Sequence, residues 1–232
     1  HLSKPSTITV DGFAASGKST VAKLLAQSLD YLFFDTGVMY RAVTWAVLDR
    51  RLVVTDMEGV CRLAEALTIE VLVDGPDDGR PYTVLVDGQD VTWLIRKPEV
   101  EALVSSVSSY PRVRAALTEQ QRRIARAGSI VMAGRDIGTV VLPDADLKIF
   151  LRASAEERAR RRYQEAVAQR KTANYENILA AIIARDEQDK TNPVSPTKPA
   201  RDAVIVNTDG LSIKQVVVQL EQLVVNNKNG TH

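Results

Sequence analysis

Short apolar runs alternate with longer stretches of helical period along most of the chain. Thr7-Ile8-Thr9-Val10 is a β-branched run, and residues 21–26 are helix-prone with Leu24 and Leu25 placed on an apolar face. Residues 31–34 read as a buried strand that ends in Asp35-Thr36-Gly37, and a helix is expected over 39–50. Further strands are expected over 129–133, 147–151 and 203–206, with helices over 175–190 and 212–225. Strands alternating with helices predict a parallel sheet that binds ligands at the carboxyl ends of its strands. The pattern breaks after a helix over 57–67. Runs over 68–73 and 82–86, separated by a turn rich in Gly, Pro and Asp and followed by Asp87-Gly88, read as antiparallel hairpins. Hairpins do not belong inside a parallel sheet, so a subdomain inserted over about 68–98 is predicted. Helices over 100–109 and 111–126 follow, with Pro111 suited to a first turn. They extend the inserted region to 126 and leave a core of 1–67 and 127–232.

Composition narrows the class. A chain of 232 residues suffices for one substantial α/β domain carrying an insertion. Thirty Lys and Arg against 29 Asp and Glu, a net charge of +1, argue against nucleic acid as the main partner. The single cysteine, Cys61, has no partner for an internal disulfide and is expected to pack within a helix. No run approaches a membrane span and no secretion signal is read, which predicts a soluble cytoplasmic protein. The first residues, from His1, are set aside, and the polar tail at 226–230 is expected to fray.

The stretch VDGFAASGKST, Val10 to Thr20, satisfies the phosphate-loop pattern between a strand and a helix. Gly12 and Gly17 let the backbone curl around an anion, so N–H groups of the loop and of the helix start point at phosphate oxygens. Gly12, Phe13, Ala14, Ala15, Ser16, Gly17, Lys18, Ser19 and Thr20 are therefore the expected triphosphate site. Lys18 reaches the outer phosphates, and the Ser19 hydroxyl is the candidate Mg²⁺ ligand. The predicted fold is α/β, a three-layer P-loop NTPase with a central parallel sheet, an inserted antiparallel subdomain and a helical lid.

Other candidates carry two readings each. Thr36, Tyr40 and Arg41 fall at the rim of the predicted sheet, although Arg41 alone also suits a solvated helix face. Arg122, Arg123 and Arg126 read as a wet face. Ser154 is expected to cap a helix with Glu157 as its reciprocal partner. That helix, a lid over 153–164, bears Arg158, Arg160, Arg161 and Arg162, with Arg158, Arg161 and Arg162 on one face. Such a cluster suits closure over a triphosphate, or it is simply a solvated basic helix. Arg185 and Asp189 stand one turn apart, the ordinary spacing of a surface ion pair, with Asn192 on the same stripe if the helix continues.

Taken together, VDGFAASGKST, DTGVMYRA (35–42), SSYPRVR (108–114), GRDIGTVVLPDA (134–145), ASAEERARRR (153–162), ARDEQD (184–189) and the hairpin insertion resemble the bacterial cytidylate kinase family of nucleoside monophosphate kinases. The resemblance spans nearly the whole chain. It implies Mg²⁺-dependent transfer of the ATP γ-phosphate to CMP or dCMP by a monomer. It places cytosine recognition on Ser105, Arg114 and Asp136, monophosphate binding on Arg41 and Arg135, and ribose contacts on Arg185 and Asp189; in the mechanism expected here, Lys18, Arg158 and Arg162 gather the triphosphate charge. A carboxylate accepts from the exocyclic amine of cytosine, whereas uracil presents the opposite pattern.

Three positions depart from the family pattern. Phe13 stands where proline is common, Ala133 where an acidic residue is common, and Asn192 where arginine usually helps to hold the monophosphate. Losing a charge-assisted contact of about 1.5–3 kcal/mol predicts weaker CMP binding or slower transfer, unless Lys190 or Lys198 substitutes. Two rival readings remain on these residues: a related kinase with another acceptor such as UMP, AMP or a small molecule, and a nucleotide-binding module with weakened catalysis.

Overall fold

The computed structural model describes residues 4–72, 74–80 and 82–227. Chain order runs β1 (Thr7–Gly12), α1 (Lys18–Leu29), β2 (Leu32–Asp35), α2 (Gly37–Asp49), α3 (Met57–Ala66), β3 (Ile69–Leu72), β4 (Thr83–Val86) and β5 (Gln89–Asp90). It continues with α4 (Pro98–Ser108), α5 (Pro111–Ala125), β6 (Ile130–Gly134), β7 (Leu147–Arg152), α6 (Ala155–Ala168), α7 (Tyr175–Lys190), β8 (Val204–Asn207) and α8 (Ile213–Asn226). Residue 73 and the end of the polar tail, 228–232, lie outside the described residues.

The chain forms two compact units. In the first, residues 4–35 and 125–227, five parallel strands lie in the order β2-β6-β1-β7-β8. Val10 is in register with Ala133 on one side and Ile149 on the other. Ile8, Val10, Val131, Ala133, Ile149 and Leu151 pack against Val21, Ala22, Leu25, Leu220 and Val224 of α1 and α8. Ala133, at the position where the family often has an acid, is fully buried there, where an unpaired charge would be costly. Leu25 is buried but Leu24 is 38% exposed, so only one of the two leucines lies on the apolar face. Neighbouring helical residues are about 100° apart, and Val21 and Leu25 supply the buried i,i+4 row.

The second unit, residues 36–124, contains the three-stranded antiparallel sheet β3-β4-β5. Asp87 and Gly88, both at positive φ, turn β4 into β5, as the Asp-Gly signal predicts. The unit starts at Thr36, well before the expected boundary at 68, because α2 packs on α3, α4, β4 and the 3-10 turn Leu94–Arg96. Eight residues of α2, from Val38 to Val47, are buried in this unit. Arg80 fastens the insertion: its guanidinium, 8% exposed, pairs with Asp78 and Asp90 and donates to Thr83. Cys61 is buried in α3, as expected.

Helix termini differ from expectation in one place. Ser154 Oγ accepts from Glu157 N at 3.1 Å, but the Glu157 carboxylate turns to Arg160 and Arg161. Asp209 takes the Ser154 N–H at 2.9 Å instead. The full reciprocal box occurs at α8, between Ser212 and Gln215.

Candidate active site

The loop between β1 and α1 has the conformation an anion cradle needs. A Cβ on Gly12 would meet Ser16 Oγ at 2.9 Å and the Leu151 carbonyl at 3.0 Å, so a larger residue would displace the Ser16 side chain and press on the backbone of β7. Gly17 sits at φ 79° with open space where its Cβ would be, and Ala15 also adopts a positive φ. Gly17 is the N-cap of α1 and supplies no side-chain cap, which leaves the first-turn N–H groups to an external acceptor. Ser16 Oγ is buried with no hydrogen-bond partner among the described residues. Thr20 is exposed.

Lys18 folds back on this loop, donating from Nζ to the Phe13 carbonyl at 3.2 Å. Burial lowers its pKa to about 8, helped by the Arg135 charge and opposed by Asp35, Asp11 and Asp189. Ser19 Oγ donates to Asp35 Oδ2 at 2.7 Å. This pairs a hydroxyl and a carboxylate, the hard oxygen donors that suit Mg²⁺, an ion that keeps several of its own waters and needs few protein ligands.

Asp11, at the end of β1, went unremarked in the sequence. It is 5% exposed and accepts from Ile137 N at 2.9 Å and Gly138 N at 2.8 Å. Desolvation raises its pKa to about 6, against the pull of those two N–H groups. The bonds tie down a π-helical turn, Ile137–Val141, directly after Arg135 and Asp136. The signal available in the sequence is a carboxylate closing a β-branched strand just before the loop.

Around that turn, Arg135 Nη1 donates to Asp189 Oδ1 at 2.9 Å, and Arg185 Nε lies 3.5 Å from the same oxygen. Asp189 Oδ2 is buried without a hydrogen-bond partner among the described residues. Asp136 is buried and accepts a hydrogen bond from Ser195 Oγ. Helix α7 ends at Lys190, so Asn192 lies beyond it rather than on its stripe.

The basic face of α6 divides in three. Arg158 is buried and forms a bidentate pair with Asp186, and it also donates to the Ala14 carbonyl of the phosphate loop at 3.1 Å. Arg160 and Arg161 are paired with Glu157, and Arg162 is exposed. Arg158, Arg161 and Arg162 share a face of α6 by spacing, but Asp186 draws the Arg158 guanidinium inward, so the three charges do not form one exposed cluster. Phe13 stands with Arg158 5.7 Å and Lys190 5.6 Å from its ring and its edge against Phe150. These residues, with Arg152, Thr197, Lys198 and Pro199, line a cavity of about 440 Å³.

The remaining predicted residues belong to the second unit. Thr36 and Tyr40 are buried, and the Arg114 guanidinium lies 5.2 Å from the Tyr40 ring. Arg114 Nη1 donates to the Ser108 carbonyl, and the Ser105 carbonyl accepts from Ser108 Oγ. Arg41 is paired with Glu101.

The family model described as cytidylate kinase matches residues 8–226. A cytidylate kinase of Roseiflexus castenholzii is 51% identical over 93% of this chain and 92% of its own. One from Carboxydothermus hydrogenoformans is 47% identical over 94% and 96%. A bifunctional pantoate ligase/cytidylate kinase of Acaryochloris marina is 45% identical over 93% of this chain and 41% of its own length. In fold, an uncharacterised protein from Eubacterium ventriosum superposes with a TM-score of 0.51 at 12% identity, covering 96% of this chain and 99% of its own. The chain belongs to the cytidylate kinase family, whose members are nucleoside monophosphate kinases.

Proposed function

We propose that this chain transfers the γ-phosphate of ATP to CMP or dCMP, with the phosphate loop holding the donor and Mg²⁺ held through Ser19 beside Asp35. The observation that carries the reading is the loop itself: Gly12 where a Cβ would crowd Ser16 and Leu151, Gly17 in the left-handed region, and Lys18 poised on the loop's own carbonyl. We assign the cavity lined by Phe13, Phe150, Lys190 and Lys198 to the base and ribose end of ATP. Bound Mg²⁺ would neutralise β- and γ-phosphate charge.

An oxygen of the acceptor monophosphate attacks the γ-phosphorus in line, and ADP leaves as the bond to its β-phosphate oxygen breaks. A phosphate monoester is already a nucleophile, so positioning and charge neutralisation suffice without a covalent enzyme intermediate. Lys18 and the exposed Arg162 of the lid helix gather triphosphate charge, while Arg158 braces the loop at Ala14. Arg41 and Arg135 exchange Glu101 and Asp189 for the acceptor phosphate. Asp189, one oxygen of which has no hydrogen-bond partner among the described residues, and Arg185 take the ribose hydroxyls. Asp136, with Ser105 and Arg114, reads the cytosine edge, and the buried acceptor at Asp136 rejects uracil by leaving polar groups unpaired.

Among the described residues no helix is long and apolar enough to cross a membrane. We place the enzyme in the cytoplasm as a monomer that does not bind nucleic acid, in keeping with a buried, free Cys61 and a net charge of +1. An ADP-release assay with CMP, dCMP, UMP and AMP tests the acceptor. Turnover with CMP and dCMP alone is expected, and equal turnover with UMP or AMP would overturn the assignment.

A further inference from the structure

Asn192 occupies the position where the family pattern has a cation, yet its side chain here acts as an acceptor. Its Oδ1 takes the N–H groups of Val194 and Ser195, both at 3.0 Å, across Pro193. An asparagine before proline favours this kind of side-chain-closed turn, and the proline ring fixes one of its dihedrals. The loop is tied again where Thr197 N donates to the Asp189 carbonyl at 2.8 Å. Between these ties Ser195 is 5% exposed, and its hydroxyl donates to Oδ2 of Asp136, itself 6% exposed. Arginine at 192 would have no acceptor with which to close the turn.

We propose that Ser195 is a positioning residue for Asp136, set in place by the Asn192 turn, and that this pair sharpens the enzyme's preference for cytosine over uracil. The inference rests on the reading of Asp136 as a contact to the acceptor base. A carboxylate rotates about its terminal bond over a broad, shallow profile, so an isolated one presents its oxygens to a ligand in many orientations. The buried Ser195 hydroxyl on Oδ2 restricts that freedom and contributes to the plane in which the carboxylate meets the base. A carboxylate is an acceptor, so an oxygen held in this plane pairs with an amine and not with a carbonyl. The departure at 192 thus exchanges a phosphate contact for tighter base selection.

Steady-state kinetics with CMP and UMP, with thermal melting as a check on folding, tests this in five forms: the parent, Ser195→Ala, Asn192→Ala, Asn192→Asp and Asp136→Asn. Ser195→Ala is expected to raise KM for CMP about tenfold and to lower the CMP-to-UMP ratio of kcat/KM by a similar factor, the scale of a hydrogen bond to a charged group. KM for ATP should stay within about twofold, a small change on the free-energy scale. Asn192→Ala should shift the ratio in the same direction, and Asn192→Asp, which keeps the acceptor, should preserve it. An unchanged ratio in both Ser195→Ala and Asn192→Ala, while Asp136→Asn loses it, would overturn the role of Ser195 alone. A ratio intact in Asp136→Asn would remove Asp136 from base reading. If Ser195→Ala weakened ATP and CMP equally with a lowered Tm, its role would be structural and the inference would fail.

Discussion

Lys18 and Asp11 sit close enough to influence each other, and burial pushes both toward their neutral forms. For Lys18 the consequence falls on nucleotide binding. With its pKa near 8 in the free protein, much of the population is neutral at about pH 9, and a bound triphosphate restores the charge. ATP binding should therefore take up close to a full proton at alkaline pH and little near neutrality. Titration calorimetry in two buffers of different ionisation heat reads this directly, and proton uptake that does not change with pH would contradict it. For Asp11 the consequence falls on stability. Its pKa is 3.8 in the unfolded chain and about 6 in the fold, so its contribution is fully present below pH 3.8 and is lost as pH rises through about 6. The loss amounts to about 3 kcal/mol. Asp11→Asn has no such titration. Urea unfolding should find the variant gaining up to about 3 kcal/mol on the parent between about pH 4 and pH 7, and parallel pH profiles would refute the assignment.

At the scale of elements, one buried ion pair joins α6 to α7, and its arginine reaches the loop between β1 and α1. Arg158 is anchored to Asp186 and also touches Ala14, so removing it strands a carboxylate and releases the loop. Arg158→Met should cost about 3 kcal/mol of stability, the lower end for breaking a buried pair. KM for ATP should rise together with that loss, as measured by urea unfolding and ADP-release kinetics. Unchanged stability would show that the pair contributes nothing net. The positions of these elements were largely legible in the sequence: the helix expected over 175–190 is found at Tyr175–Lys190, and the phosphate-loop glycines have the geometry their spacing implies. The inward turn of Arg158 was not legible, because spacing along one helix places a side chain on a face but does not reveal the Asp186 carboxylate on another. The π-helical turn after Asp136 was hidden for the same reason. It depends on the Asp11 carboxylate, more than a hundred residues earlier, accepting two backbone N–H groups. The reciprocal cap expected at Ser154 was lost to competition, since Glu157 gains more from two guanidinium partners than from one N–H.

At the scale of the whole molecule, the residues proposed for the site divide between the two units. The parallel-sheet unit carries the phosphate loop, Arg135, Asp136, Arg185 and Asp189, and the unit spanning residues 36–124 carries Thr36, Tyr40, Arg41, Ser105 and Arg114. The alternating pattern distinguished the parallel sheet from the antiparallel one, but it set the boundary at 68, because α2 looks like any other helix of an α/β repeat. Only its packing on α3, α4 and β4 assigns it to the second unit. The decisive measurement follows the phosphorus itself: ATP labelled at the γ-phosphate is incubated with Mg²⁺ and CMP, and the products are separated for the parent and for Lys18→Ala. Label should appear in CDP with the parent enzyme and fall by at least about a hundredfold with Lys18→Ala, the scale of losing an electrostatic contact to the transferring group. Label released as free phosphate, or transfer to CMP undiminished in Lys18→Ala, would contradict phosphoryl transfer from this loop to a cytidine monophosphate.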